Sequence, residues 1–247
     1  MAFKTTLNYS PNFNSFKRGK KSIKFIIFHY TGMKKESSAI NRLTNIQSMV
    51  SSHYVIKKSG EILTLVPDAY VSWHAGNSSW KEYKNLNENS IGIEITNPGH
   101  NFNYREYSKK QIISLMKLSK FLIKKYNINQ KNILGHSDIS PDRKKDPGER
   151  FPWKYLAKTK IGVWHTITNQ ILIKNRTIKV SKKEEKYFLN NLYKFGYSKK
   201  GSRKLSKDKY LTFLIKAFQR RFRQELINGL IDRECLFISQ NLLKNFI

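Results

Sequence analysis

What most limits the fold of this chain is a set of short runs rich in β-branched residues, spaced between longer stretches of helical periodicity. Ile23 to His29, His53 to Lys57, Glu61 to Val66, Ser90 to Thr96 and Asn132 to Leu134 are each of strand length. Between the second and third, Lys58-Ser59-Gly60 offers the positive φ of a tight hairpin turn. Ala39, Leu43 and Ile46 recur at i, i+4 and i+7 behind Ser37 or Ser38 as a cap. A longer helix is expected behind Ser108, with Ile112, Leu115, Met116, Leu122, Ile123 and Tyr126 on one side and Lys109, Lys110, Lys117 and Lys124 elsewhere. Strands alternating with helices define an α/β protein with a mixed central β-sheet flanked by helices.

The stretch after Leu134 runs through Pro141, Pro147 and Pro152 and is unsuited to a regular helix. From 158 to 185 the chain is mostly basic and polar, which predicts a linker or edge segment with a boundary near residue 178. Three helical patterns follow, from Glu184 to Phe195 closed by Gly196, from Lys209 to Arg223, and from Arg233 to Leu243. In the second, Leu211, Ile215, Phe218 and Phe222 fall at i, i+4, i+7 and i+11. The 247 residues suffice for two domains, expected at 1–178 and, as a small C-terminal three-helix bundle, at 179–247.

Of the histidines at 29, 53, 74, 100, 136 and 165, two stand out because each ends a strand. Strand ends at one sheet edge are where sites are commonly assembled, which couples His29 to His136. The loop after His136 offers Asp138, Asp142 and Asp146. Two imidazoles, one carboxylate and an open fourth position make a catalytic zinc site, although spacing alone does not choose the aspartate. Cys235 is the only cysteine, so an internal disulfide and a Cys-rich metal site are excluded. Ile91, Ile93 and Ile95 alternate with Gly92 and Glu94, which puts Glu94 on the face opposite the isoleucines. Trp73, Trp80 and Trp153 serve either as packing or as a sugar-facing wall of a cleft.

Lysine and arginine number 47 against 17 aspartates and glutamates, a net charge of +30. Such a charge attracts polyanions, whether nucleic acid, anionic lipid or cell-wall polymer, and equally describes a surface simply solvated by lysine. No nucleic-acid motif accompanies it, so no nucleic-acid partner is expected; a binder of that kind would show affinity falling steeply with salt. Met1 to Gly19 lacks an apolar signal-peptide core and Phe25 to Phe28 is too short to span a bilayer. The expectation is therefore a cytoplasmic protein, with the periplasm or cell envelope as the alternative, and a monomer by default.

Five segments also occur in a recognisable order: Phe28-His29-Tyr30-Thr31, Ser52-His53-Tyr54-Val55-Ile56, Trp73-His74-Ala75-Gly76, Ser90-Ile91-Gly92-Ile93-Glu94, and Gly135-His136-Ser137-Asp138-Ile139 through Arg143-Lys144-Lys145-Asp146-Pro147-Gly148. Together, over roughly residues 22 to 157, they resemble the N-acetylmuramoyl-L-alanine amidases of the AmpD and AmiD type, relatives of the peptidoglycan recognition proteins. The resemblance implies zinc held by His29, His136 and Asp146, the aspartate that precedes Pro-Gly. It implies Glu94 as the group that handles the attacking water and Lys144 as the stabiliser of the developing oxyanion. His53 and His74 match recurrent positions that line or support the site.

The implied substrate is peptidoglycan or a muropeptide, including its 1,6-anhydro form, cut between N-acetylmuramic acid and L-alanine in cell-wall turnover or recycling. A non-catalytic peptidoglycan-recognition protein is the alternative, and the filled positions His29, Glu94, His136, Lys144 and Asp146 argue against it. Leu192 to Tyr197, Ala217 to Phe222 and Gly229 to Asp232 resemble the three-helix peptidoglycan-binding domain appended to AmiD-type amidases, over about residues 184 to 244. Arg233-Glu234-Cys235 stands where that pattern usually has a threonine closely following the aspartate. The other reading of these helices is a purely structural buttress.

Overall fold

The computed structural model describes residues 4–247. In chain order its elements are β1 (Thr6–Leu7), β2 (Phe13–Asn14), β3 (Phe25–Tyr30), α1 (Glu36–Thr44), β4 (Tyr54–Ile56), β5 (Ile62–Thr64), β6 (Val71–Ser72), β7 (Ser79–Trp80), β8 (Tyr83–Lys84) and β9 (Ser90–Ile95). There follow α2 (Lys109–Tyr126), β10 (Ile133–Gly135), α3 (His136–Ile139), α4 (Trp153–Ala157), α5 (Asn169–Asn175), α6 (Lys182–Phe195), α7 (Lys207–Phe222) and α8 (Arg233–Phe246).

The main sheet has the order β1-β5-β4-β9-β3-β10. At its centre β3 runs parallel to both β9 and β10, and β9 parallel to β4, whereas β4 and β5 form the antiparallel hairpin that turns at Gly60, φ +87°. The sheet is mixed, as expected, and its strands sort their side chains by parity. Ile26 and Phe28 of β3 join Ile91, Ile93 and Ile95 of β9 on one face, beneath Leu115, Leu118 and Leu122 of α2. Phe25, Ile27 and Leu134 point the other way, into a core with Phe188, Leu192, Leu214, Phe218, Phe222 and Leu236 of the last three helices. Those helices therefore cover the second face of the sheet and share its core.

α2 starts where its cap is: the Ser108 hydroxyl accepts from the Gln111 amide while the Gln111 side chain accepts from the Ser108 amide, which satisfies two otherwise orphaned donors. It ends on Asn127 in the left-handed conformation.

Several expectations are corrected. α1 begins at Glu36 with Lys35 as an uncapped N-terminal neighbour, and Ile46 lies beyond the helix and is exposed. Its apolar spacing matched a helix that Asn45, extended in backbone, ends early. The stretch 158–185 contains α5, in which Leu172 is buried while its apolar neighbours Ile171 and Ile173 are exposed, so the Ile-Leu-Ile run carries no helical periodicity. β1, β2, β6, β7 and β8 have two residues each, too few for alternation to be visible. A four-residue helix, α3, opens the proline-rich stretch.

Because the two layers share Phe25, Ile27 and Phe218, Phe218→Ala should destabilise the whole chain by about 3–5 kcal/mol. Chemical denaturation followed by both tryptophan fluorescence and far-UV circular dichroism should give coincident, shifted transitions. A loss confined to helical signal would contradict the shared core.

Candidate metal centre

The register of β3 against β9 sets His29 directly opposite Glu94, and cross-strand neighbours in register project to the same face. β10 lies on the other side of β3, with Gly135 paired to Phe28, and the chain turns from it straight into α3 at His136. Asp146 comes back over this turn, because the Ser137 amide donates to the Asp146 carbonyl at 2.8 Å. Gly135 makes the approach possible: a Cβ there would lie 2.6 Å from Pro147 Cδ. The Pro147 carbonyl in turn accepts from the hydroxyls of Tyr104 at 2.8 Å and Tyr107 at 2.7 Å, which holds the Asp146-Pro147-Gly148 turn in place.

Three electron-pair donors meet as a result. His29 Nδ1 and His136 Nδ1 are 2.9 Å apart, and Asp146 Oδ2 lies 3.1 Å from the first and 3.0 Å from the second, all of them buried. The other two aspartates of the loop are already engaged. Asp138 accepts from Arg221, Tyr197 and the Gly135 amide, and Asp142 accepts from Ser202 and from the Arg203 amide. Asp146 is the carboxylate of this loop that faces the two histidines, a choice the sequence spacing left open.

Hydrogen bonds on the outer edges of the rings determine which nitrogens carry protons. Ser90 donates its hydroxyl proton to the Leu86 carbonyl at 2.5 Å, so its oxygen accepts from His74 Nε2–H at 3.1 Å. His74 Nδ1 is then an acceptor and receives the hydrogen bond that His29 Nε2–H donates at 3.0 Å, which leaves His29 Nδ1 with a bare lone pair. His136 Nε2 donates to the Ala75 carbonyl at 3.0 Å, and a singly protonated ring then also turns a lone pair inward. Burial, with His136 beside it, lowers the His29 pKa to about 4; burial, with His29 and His53 nearby, holds His74 well below its ordinary value. Burial alone would raise Asp146, but the His136 and His29 imidazoles outweigh it and keep the carboxylate ionised.

Two bare nitrogens and a carboxylate oxygen within about 3 Å of one another repel unless a cation sits between them. In tetrahedral coordination at ~2.0–2.1 Å from zinc, ligand atoms are spaced by about 3.3 Å, close to the separations seen here. The donor set of two nitrogens, each on a ring oriented by an outer partner, and one carboxylate oxygen fits such an ion.

Around this cluster is a cleft of about 500 Å³ whose lining includes Glu94, His136, Asp146, Trp73, Arg42, Arg143 and Lys144. Glu94 is partly exposed as a residue, yet its Oε2 is sealed from solvent and has no hydrogen-bond partner in the protein. Burial, with the Asp146 charge adding to it and Lys144 opposing, raises Glu94 to about 8. Such a group is poised to exchange a proton near neutrality. Trp73 lines the cleft, whereas Trp80 and Trp153 are fully buried core residues, so of the three indoles only Trp73 can form its wall.

The remaining histidines separate by function. His74 is the support behind His29, admitted because Gly92 has no side chain: a Cβ at Gly92 would lie 2.4 Å from His74 Cγ. His53 accepts from the Gly92 amide and contacts the Tyr70 carbonyl and Arg18, a structural post lowered to about 3 by burial and Arg18. His100 bridges Tyr30 and Glu149 at the cleft rim, and His165 packs on Trp164 in a different part of the molecule. Sequence reasoning missed Ser90, whose only signal was its place two residues before Gly92 on the strand face that carries Glu94.

Residues 19–149 match the family model described as N-acetylmuramoyl-L-alanine amidase. The chain is 34% identical over 236 residues to the N-acetylmuramoyl-L-alanine amidase AmiD of Escherichia coli K12, covering 91% of this chain and 83% of that protein. It is 37% identical over 116 residues to the 1,6-anhydro-N-acetylmuramyl-L-alanine amidase AmpD of Haemophilus influenzae, which covers 46% of this chain and 61% of the relative. Among solved structures, E. coli AmiD in complex with anhydro-N-acetylmuramic acid-L-Ala-D-γ-Glu-L-Lys superposes with a TM-score of 0.79 at 33% identity, covering 91% and 90% of the two chains. AmpDh3 of Pseudomonas aeruginosa in complex with an anhydromuramic pentapeptide gives 0.78 at 30% identity, covering 94% and 97%.

The Glu94 environment predicts a pH signature in metal-free protein. Its folded pKa of about 8 lies above the ordinary 4.5, so protonated Glu94 favours the folded state; that contribution is full below the ordinary value and is lost as pH rises through about 8. Glu94→Gln should remove this component. Urea unfolding of chelator-treated protein should show wild type losing stability relative to the variant between about pH 5 and 9. A constant difference across that range would contradict the assignment.

Proposed function

This chain belongs to the N-acetylmuramoyl-L-alanine amidase family, and from that premise we propose that it is a zinc-dependent hydrolase of the amide between N-acetylmuramic acid and L-alanine. The observation that carries the proposal is the convergence of His29, His136 and Asp146 beside Glu94, at the floor of an open cleft. Those three side chains would hold a zinc ion, which when bound would act as a Lewis acid toward the amide carbonyl and lower the pKa of water to ~7.

The protein's own groups do the rest. Glu94, which lines the cleft directly opposite His29, accepts the proton of the attacking water and returns it to the departing L-alanine amine. That transfer turns an amide anion, a poor leaving group, into a neutral amine. Lys144 lines the same cleft two residues before Asp146 and stands as the cation for the negative charge that develops on the carbonyl oxygen. His74 and Ser90 keep the His29 lone pair inward, and Ala75 does the same for His136.

The substrate class follows from the cleft and from the two neighbours solved with anhydromuramyl peptides. Arg42, Arg143, Lys144 and Lys145 surround the opening, and a muramyl peptide bears carboxylates at its stem glutamate and its terminus. We take anhydro-muropeptides as the preferred form, in cell-wall recycling. No described helix is long and apolar enough to cross a membrane.

Release of peptide from anhydro-muramyl tripeptide should be abolished by chelation and restored by stoichiometric zinc. Glu94→Gln should retain zinc and lose ~10²–10⁴-fold in kcat. Lys144→Ala should lose ~10²-fold or more in kcat with a much smaller change in KM. Full activity after exhaustive chelation, or an unaltered kcat in Glu94→Gln, would refute the mechanism.

A further inference from the structure

The loop from His136 to Glu149 carries two of the three proposed ligands and Lys144, and it has three further acidic residues: Asp138, Asp142 and Glu149. Each of them is held by the C-terminal helical layer. Arg221, in the last turn of α7, donates to Asp138 Oδ2 at 2.6 Å and to the Ile133 carbonyl at 3.0 Å, with its guanidinium 4.4 Å from the centre of the Trp153 ring. Tyr197, just past α6, donates to Asp138 Oδ1 at 2.8 Å. Arg220, the neighbour of Arg221, pairs with Glu149 at 3.7 Å, and Glu149 accepts from His100, which is bonded to Tyr30 in the cleft. Between these two ends, Asp142 accepts from Ser202 and from the Arg203 amide.

We propose that the C-terminal layer acts as a clamp on the metal-binding loop, with Arg221 as a positioning residue for His136; the inference rests on the zinc reading above. Its path is short. Asp138 Oδ2 receives Arg221 and the Gly135 amide together, so the carboxylate joins α7 to the backbone one residue before His136. Arg221 and Asp138 are both about 1% exposed, so the pair is shielded from water and salt and has no competing partner in solvent. Pro141 and Pro147 leave the loop two positions without a backbone donor, and carboxylates spaced along it give another layer fixed points to hold. These helices then serve the reaction without needing to touch the cell wall.

The test compares full-length wild type, Arg221→Met, Arg221→Lys and Tyr197→Phe. Hydrogen–deuterium exchange on metal-free protein reads the loop directly. The clamp predicts exchange in 133–149 rising at least tenfold in Arg221→Met, less in Tyr197→Phe, and returning toward wild type in Arg221→Lys, with β3 and β9 still protected. Zinc affinity by chelator competition should fall ~10–100-fold in the same order, and the absorption bands of the cobalt-saturated protein should shift. If Arg221→Met does not fold, Tyr197→Phe, which removes one hydroxyl and leaves the ion pair, decides. Unchanged exchange in 133–149, or a rise spread evenly over the chain, would overturn the clamp. Wild type that binds no zinc would refute the functional reading, while the exchange measurement would still decide the clamp.

Discussion

Three electron-pair donors held about 3 Å apart in a buried pocket are the constraint around which the rest of the protein is arranged. Without a positive charge between them, His29 Nδ1, His136 Nδ1 and Asp146 Oδ2 would repel and relax apart. With one, each contributes to binding energy that also stabilises the fold. Their convergence is paid for by packing elsewhere. Gly135 and Gly92 surrender side chains so that Pro147 and His74 can approach, and both layers of core press on the strands that carry the site.

The placement of the proposed catalytic groups follows from sheet geometry. A parallel β3–β9 pair puts His29 and Glu94 in register, and one face of β9 reads Ser90, Gly92, Glu94: a hydroxyl that orients His74, a gap that admits it, and a carboxylate beside the histidine it supports. A single strand thereby provides the proposed proton acceptor and the hydroxyl that orients His74 behind the proposed ligand His29. The alternating isoleucines on its other face anchor it to α2, so the polar face is held with the rigidity of the core.

Much of this was legible in the sequence because it is local. The strand runs, the Ser108 cap, the Gly60 turn and the last three helices all lie within a few residues of where periodicity and capping put them. The five motif segments ordered His29, Glu94, His136, Lys144 and Asp146 along the chain, and the structure brings them around one cleft. What could not be read was set by contacts distant in sequence. Spacing alone leaves Asp138, Asp142 and Asp146 equivalent; the resemblance singled out Asp146 by its place before Pro-Gly, but the physical reason is that Arg221, Tyr197, Ser202 and Arg203 engage the other two. Trp80 and Trp153 resembled cleft residues as much as Trp73 did until burial separated them. The share of the core that α6–α8 hold with β3 is likewise invisible to a pattern that looks along one helix at a time.

The identity of the atoms that surround a bound zinc ion is the direct test of the His29, His136 and Asp146 centre. X-ray absorption at the zinc edge of the stoichiometric zinc-loaded protein measures them directly. A centre of two histidines and one aspartate gives a four-coordinate shell of nitrogen and oxygen at ~2.0–2.1 Å, with the outer-shell scattering of two imidazoles and no sulfur. A six-coordinate, all-oxygen shell without imidazole scattering would contradict it.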